Sequence, residues 1–360
     1  MLLFQDNYFT ILAFAVFSIF LFPISFSWLI FAEKTMHPEQ IRIVFMGTPD
    51  FAVESLKALV TNGYQVVGVI TAPDKPAGRG RQLSESAVKK YAVENGLHVL
   101  QPEKLKDPEF IAELESLKAD LQVVVAFRML PEMVWNMPPL GTFNLHASLL
   151  PQYRGAAPLN WAVINGETET GVTTFLLSHE IDTGLIIFQE EVTIAKNDTV
   201  GDLHDRMMEI GANLVLKTVD AIADGKVEAI DQAQLIEKQS VIKPAPKIFK
   251  EDCRINWSRD TESVRNLIRG LSPYPTAWTE LEHPGKDEIL TAKIFSAIRD
   301  NGSLPAAPGI LLTDGKKFLK IACVDGWLSI TDIQLSGKKR MKIDELLRGF
   351  HGLGDWRVKV

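Results

Sequence analysis

Cysteine is scarce in this 360-residue chain: Cys253 and Cys323 stand far apart, with no CxxC or Cys/His ligand spacing. That excludes a disulfide scaffold and a thiolate zinc site, so both read as buried or free thiols and no metal site is expected. No GxGxxG occurs, and the first strand runs instead into Gly47-Thr48-Pro49-Asp50, which excludes a dinucleotide fingerprint. Gly47 reads as a tight βα turn, with Thr48 and Asp50 able to face a ligand. No Lys or Arg precedes Lys34, which excludes an ordinary secretory signal. Yet Asn7 to Ala32 carries no formal charge, and about 20 apolar residues suffice to cross a bilayer. Residues 1–35 are therefore an apolar N-terminal extension. It reads either as a membrane anchor with Lys34 on the cytoplasmic side or as a leader ahead of a true start at Met36. The second reading is preferred, with a cytoplasmic protein as the expectation.

What is present is a globular composition with uneven charge. From Lys243 to Val360 there are 20 Lys+Arg against 15 Asp+Glu, while the remainder carries 18 against 30, for a net charge of −7. A basic rear part on an acidic front part suits a polyanionic partner for the rear. Apolar runs at Ile41–Met46, Val66–Ile70, Leu121–Phe127 and Thr142–Ala147 alternate with helical patterns. They predict a Rossmann-like, mostly parallel sheet in an α/β domain over 36–225. Val172–Leu177 and Leu185–Val192 add strands, and a long amphipathic helix spans Val200 to Ala223, closed by Gly225. Residues 226–250, polar and bearing Lys243-Pro244-Ala245-Pro246-Lys247, read as a linker. Short strand-like runs between turns over 251–360 predict a small OB-like β-barrel.

The chemistry concentrates at Phe143-Asn144-Leu145-His146. On a strand, Asn144 and His146 share one face, and Pro151 and Gly155 stop the strand soon after, so both sit at its end beside a loop. Strand ends in open α/β sheets are where ligands bind. An amide there can donate to a developing oxyanion. An imidazole can move a proton, and a carboxylate, Asp182 in Asp182-Thr183-Gly184, can set the imidazole tautomer and take up a proton. Asn144, His146 and Asp182 are the candidate catalytic residues. Separately, Gly78 and Gly80 make the Pro73–Leu83 segment pliant, while Lys75, Arg79 and Arg81 give it charge for phosphates.

Phe45-Met46-Gly47-Thr48-Pro49-Asp50-Phe51-Ala52, the Asn144–Pro158 block and Asp182-Thr183-Gly184 together resemble the formyltetrahydrofolate-dependent formyltransferase superfamily. Pro73–Arg81, Ile268-Arg269-Gly270-Leu271-Ser272-Pro273 and Gly337-Lys338-Lys339-Arg340 narrow the resemblance to the branch that uses initiator methionyl-tRNA as acceptor. The likeness runs in order from about Arg42 to Gly349 and leaves only the leader unexplained. It implies transfer of the formyl group of 10-formyltetrahydrofolate, as co-substrate, to the methionyl α-amine. Asn144 would hold the oxyanion, His146 would assist departure of the folate nitrogen, and Asp182 would orient His146. Ser148, Leu149, Leu150 and Pro151 would border the folate, and Arg79 matches the family's functional arginine near the tRNA acceptor end.

The rear domain resembles the family's OB-like barrel, with Lys247, Lys250, Lys338, Lys339 and Arg340 as tRNA contacts, beside the further basic candidates Arg254, Lys316 and Lys317. The chain is expected to act as a monomer without an obligate protein partner. Arg128 departs from the pattern and either meets the folate's glutamate tail or caps a strand. His179 is a decoy for the active histidine. Two alternatives stay open: formylation of a nucleotide-linked amino sugar, and an inactive RNA-binding scaffold.

Overall fold

The computed structural model describes residues 37–359 apart from 78–81, 237–240, 301 and 303–306. The apolar leader, Arg79 and Arg81 lie outside the described residues. The front half is a seven-stranded sheet in the order Val99–Leu100, Gln65–Ile70, Arg42–Gly47, Leu121–Val125, Thr142–His146, Glu169–Leu176, Ile186–Thr193. The first five strands run parallel, and the last two join through antiparallel pairings. Its central strands are apolar throughout because both faces are covered. Ile43, Phe45 and Val123 pack with helices Phe51–Thr61 and Val200–Ala223, while Val44, Met46 and Val124 pack with helix Pro108–Ser116.

The strand order reverses at Arg42–Gly47, flanked by Gln65–Ile70 on one side and Leu121–Val125 on the other. Such a reversal leaves a crevice at the carboxyl ends of the strands. The Leu121 strand stops at Val125, two residues short of the run its apolar character suggests, because Ala126 turns the chain with φ of 47°. Helix Val200–Ala223 begins with a Thr199/Asp202 capping box, which satisfies its first backbone donors.

The rear half is an antiparallel sheet ordered Leu311–Thr313, Leu319–Ala322, Trp327–Leu335, Ile289–Asp300, Ala277–Glu282, Arg357–Val358. Its two edges meet where Val358 N–H donates to Gly309 O at 3.2 Å, so the sheet nearly closes into a barrel around Ile294, Leu319, Ile330 and Ile333. Helix Thr261–Gly270 seats this half on the front. Arg265 donates to Lys196 O and Asn197 Oδ1 at 2.6 and 2.8 Å, and Arg269 to Asp198 O at 3.2 Å. Burial lowers the Arg269 pKa from its ordinary value.

Residues 226–250 do not run free between the halves. Ile230 pairs with Ile186, Ala245 is fully buried, and Tyr153 N–H donates to Lys243 O at 2.7 Å. The segment is a strap along the front domain.

One expected tRNA contact is otherwise engaged. Arg340 makes a two-pronged pair with Asp332, at 2.9 and 2.8 Å, and lies over the Phe295 ring at 4.2 Å. Asp332 is buried and would need such a partner to stay charged. Its burial pushes the carboxyl pKa up, but Arg340 and Lys342 outweigh this and hold it below the usual carboxylate value. A carboxyl depressed in the folded state stabilises above its unfolded pKa and loses that contribution as pH falls through the folded value. Asp332→Asn should therefore lower stability by about 1–3 kcal/mol at pH 7. In thermal unfolding the gap to the wild type should shrink below about pH 4; an equal gap at pH 7 and pH 3 would contradict this role.

Candidate active site

Asn144 and His146 end the Thr142–His146 strand at the carboxyl edge of the sheet. Phe143 and Leu145, on the alternate face, belong to the core beneath helix Val200–Ala223. The two polar side chains line a cavity of about 870 Å³, and Asp182 lines it too. The trio read from the sequence is thus brought together. The Asn144 amide makes no hydrogen bond to any described residue and is free to donate into the cavity.

The imidazole of His146 is held differently from expectation. Its Nε2 lies 2.9 Å from the carbonyl of Tyr153, which can only accept, so Nε2 carries a proton. Nδ1 is then the nitrogen that changes protonation, and it faces Asp182 Oδ2 at 3.9 Å. That separation is an ion-pair distance, too long for a hydrogen bond. Asp182 therefore does not orient the ring directly. Its Oδ2 accepts from Gly155 N–H at 2.9 Å, and its backbone carbonyl accepts from Gln232 Nε2 at 2.9 Å. Orientation of His146 falls to the Tyr153 carbonyl, a backbone atom with no signature in the sequence.

Tyr153 is itself fixed. It is buried with φ of 59°, and its hydroxyl donates to Glu167 at 2.5 Å, where Lys243 Nζ also donates at 2.5 Å. Burial, reinforced by Glu167, raises the phenol pKa. Burial alone would raise the Glu167 carboxyl, but the hydrogen bonds from Lys243 and Tyr153 hold it below its ordinary value.

The cavity has two walls. One is apolar: Phe127, Leu130, Trp135 and Leu177 pack as one cluster with Val124, and Met129 and Ile181 stand exposed at its rim. Arg128 lies here, but its guanidinium donates to Glu103 O at 2.9 Å and to Pro102 O, so it caps the 102–103 backbone. His179 sits at the lip against Trp135, ring centroids 5.4 Å apart, with Glu132 at 3.7 Å. The other wall carries Pro49, Phe51, Ala156 to Asn160, His204 and Tyr274. His204 packs on Phe51 at 5.3 Å and approaches Asp50 at 3.7 Å. The sequence reading missed His204 and Tyr274. A histidine on the polar face of a long helix was the only available hint for the first.

Ser148, Leu149, Leu150 and Pro151 do not line this cavity. Leu150 is buried with Phe175 and Ile186, its N–H donates to Thr173 Oγ1 at 3.1 Å, and Ser148 Oγ donates to Gln152 O at 2.7 Å. They buttress the loop behind His146, and Phe127 to Leu130 supply apolar lining to the cavity. Of the cationic candidates, Lys75 and Lys338 are exposed, Lys247 lies over Phe249 at 5.4 Å, Lys250 over Trp278 at 5.5 Å, and Lys339 near Glu345 at 3.8 Å.

A mostly parallel sheet with an amide, an imidazole and a carboxylate at its carboxyl edge, joined to a nearly closed barrel, defines a group-transfer enzyme of the formyltransferase fold, and the chain belongs to the formyl transferase family. The family's catalytic-domain model matches residues 41–219, and the formyl transferase C-terminal domain matches 247–351. Similarity is high to the methionyl-tRNA formyltransferase of Bacteroides fragilis, 60% identical over 325 residues, covering 90% of this chain and all of the relative. The enzyme of the same name from Porphyromonas gingivalis is 49% identical over 320 residues, covering 88% of this chain and 97% of its own. Among solved structures, the Helicobacter canadensis N-formyltransferase in complex with folinic acid and dTDP-3-aminofucose shares the fold at TM-score 0.56 and 22% identity, covering 84% of this chain and all of its own. Aquifex aeolicus HypX with tetrahydrofolic acid does so at TM-score 0.57 and 19% identity, covering 85% of this chain and 47% of its own.

Gly155 offers a direct test of the site's framework. Its φ is +127°, and a Cβ there would stand 2.4 Å from Ala245 O. Gly155→Ala must displace either the strap or the N–H that Asp182 accepts. The variant should lose about 1–3 kcal/mol of stability in denaturant unfolding and at least tenfold in turnover; wild-type values for both would show the loop is not clamped.

Proposed function

We propose that this chain transfers the formyl group of 10-formyltetrahydrofolate to the α-amine of methionyl initiator tRNA. The observation that carries the reading is 60% identity along the whole length of a methionyl-tRNA formyltransferase. The cavity is compatible with it. Its volume of about 870 Å³ lies within the ordinary range for organic ligands, and one wall is apolar enough for a pterin. Folate is expected against Phe127, Leu130 and Trp135. The charged acceptor is expected from the side of Phe51, His204 and Tyr274, past the exposed Lys75 hairpin.

The chemistry follows from the geometry. The neutral amine attacks the formyl carbon, and the carbonyl oxygen gains negative charge as the tetrahedral centre forms. Asn144, with its amide unengaged, donates to that oxygen. The amine's surplus proton must leave and the departing folate nitrogen must gain one. The pair His146 Nδ1 and Asp182 Oδ2 can accept the first and return the second, because Nε2 stays anchored on Tyr153 O throughout. No covalent enzyme intermediate is required. Acting as a cytoplasmic monomer belongs to the same proposal. Among the described residues no helix is long and apolar enough to cross a membrane.

The test is formyl transfer by residues 36–360 from 10-formyltetrahydrofolate to charged initiator tRNA, with elongator methionyl-tRNA and a nucleotide-linked amino sugar as parallel acceptors. Formylation of initiator tRNA alone is expected, and transfer only to the sugar would replace this reading. Asn144→Ala should cost about 10²–10³ in kcat with little change in stability. His146→Ala and Asp182→Ala should abolish turnover, and a near-normal rate would remove that residue from the mechanism.

A further inference from the structure

Tyr274 is the most conspicuous unabsorbed feature of the cavity. It lines the same space as Asn144 and His146, yet it is 82% exposed. An aromatic ring standing in solvent at a reaction site has surface to offer a flat partner. Its hydroxyl has no hydrogen-bond partner among the described residues.

The loop that carries it is firmly placed. Thr276 N–H donates to Leu271 O at 2.8 Å, and Thr276 Oγ1 donates to Pro273 O at 2.6 Å. Gly201, at the start of helix Val200–Ala223, donates to Ser272 O at 3.1 Å. A Cβ on Gly201 would stand 2.6 Å from Pro273 Cδ, so loop and helix are in close contact. Two residues before Ser272, Asn160 Nδ2 donates to Gly270 O at 2.8 Å, which ties the loop to the helix that begins at Pro158 on the cavity wall. The ring is thus held out by backbone contacts on both sides, at the junction of the catalytic sheet and the basic rear domain.

We propose that Tyr274 is a stacking platform for the terminal nucleobase of the charged tRNA. The inference rests on the formyl-transfer reading above. The reacting α-amine sits on an amino acid esterified to the terminal ribose, so the base is tethered to the reacting amine through the ribose, the ester and Cα. When the amine reaches Asn144 and His146, that tether keeps the base at the mouth of the same cavity. Away from the apolar Phe127–Trp135 cluster the lining includes Phe51, His204 and Tyr274, and of these Tyr274 is the one whose ring is mostly open. Tyr274 also projects from the rear domain's entry loop, the side from which a polyanion bound to that domain arrives. Stacking uses the π-face and not the hydroxyl, so it tolerates any base and any flat aromatic residue.

The experiment is steady-state formylation by the full chain, varying charged initiator tRNA and 10-formyltetrahydrofolate separately. Tyr274→Ala should raise KM for the tRNA about tenfold, the weight of one base–aromatic stack, with kcat and the folate KM changed less than about twofold. Tyr274→Phe should behave as wild type and Tyr274→Trp should match or exceed it. An unchanged tRNA KM in Tyr274→Ala would overturn the proposal while the active wild type upholds the reaction. A shift in the folate KM instead would assign the ring to the other substrate and overturn it too. Failure of Phe to rescue would show that the hydroxyl, not stacking, matters. Inactivity of the wild type toward every tRNA would instead remove the reaction on which the inference rests.

Discussion

The contact on which the rest of the site depends is the acceptance of Gly155 N–H by Asp182 Oδ2 at 2.9 Å. It joins two loops that come from different parts of the sheet. One follows His146 and supplies the Tyr153 carbonyl that fixes the imidazole; the other follows the Glu169–Leu176 strand and supplies the carboxylate. Because the oxygen of Asp182 that faces His146 also accepts from Gly155, the distance between imidazole and carboxylate is set by backbone. A hydrogen bond made directly between the two side chains would have locked the proton between them. The 3.9 Å spacing leaves Nδ1 free to exchange a proton with substrate.

That arrangement requires backbone conformations that ordinary residues avoid. Tyr153 and Asp182 have φ of 59° and 55°, and Ala126, on the same cavity, has 47°. Each costs free energy and persists only where surroundings over-determine it. For Tyr153 the surroundings are the strap, through Lys243 O, and the Glu167–Lys243 pair behind its hydroxyl. For Asp182 they are Gln232, whose amide donates to both Asp182 O and Gly184 O, and whose own carbonyl is held by Arg154. The strap is therefore part of the framework of the candidate site, although none of its described residues lines the cavity.

These facts explain what the sequence could and could not disclose. The alternating sheet and the long helix were legible because burial on two faces or one writes itself into apolar spacing. Asn144, His146 and Asp182 were legible because a strand end followed by proline and glycine leaves little choice of location. The strap was not, since a segment that binds through carbonyls and N–H groups needs no particular side chains and reads as a linker. Helix Thr261–Gly270 escaped notice because Arg265 and Arg269 fill its buried face. Arg340 looked like a free cation because the pattern Gly337-Lys338-Lys339-Arg340 says nothing of Asp332, which stands on the strand paired with Met341–Lys342.

The same buried arginines give the two halves a fixed relation. Arg265 and Arg269 spend their donors on the carbonyls of Lys196 and Asp198, groups just ahead of the helix whose N-terminus receives Ser272. Withdrawing either guanidinium would leave part-buried carbonyls without that partner, at a cost in stability. The rear domain thus docks through directional contacts that specify orientation, where an apolar face would have allowed slippage. Orientation matters here because the rear domain supplies part of the cavity wall. Under the proposed function, Asn144, His146 and Asp182 on a rigid sheet can act only if the acceptor arrives at a defined angle. In this chain that angle is set by hydrogen bonds between the two halves, at a distance from any reacting atom.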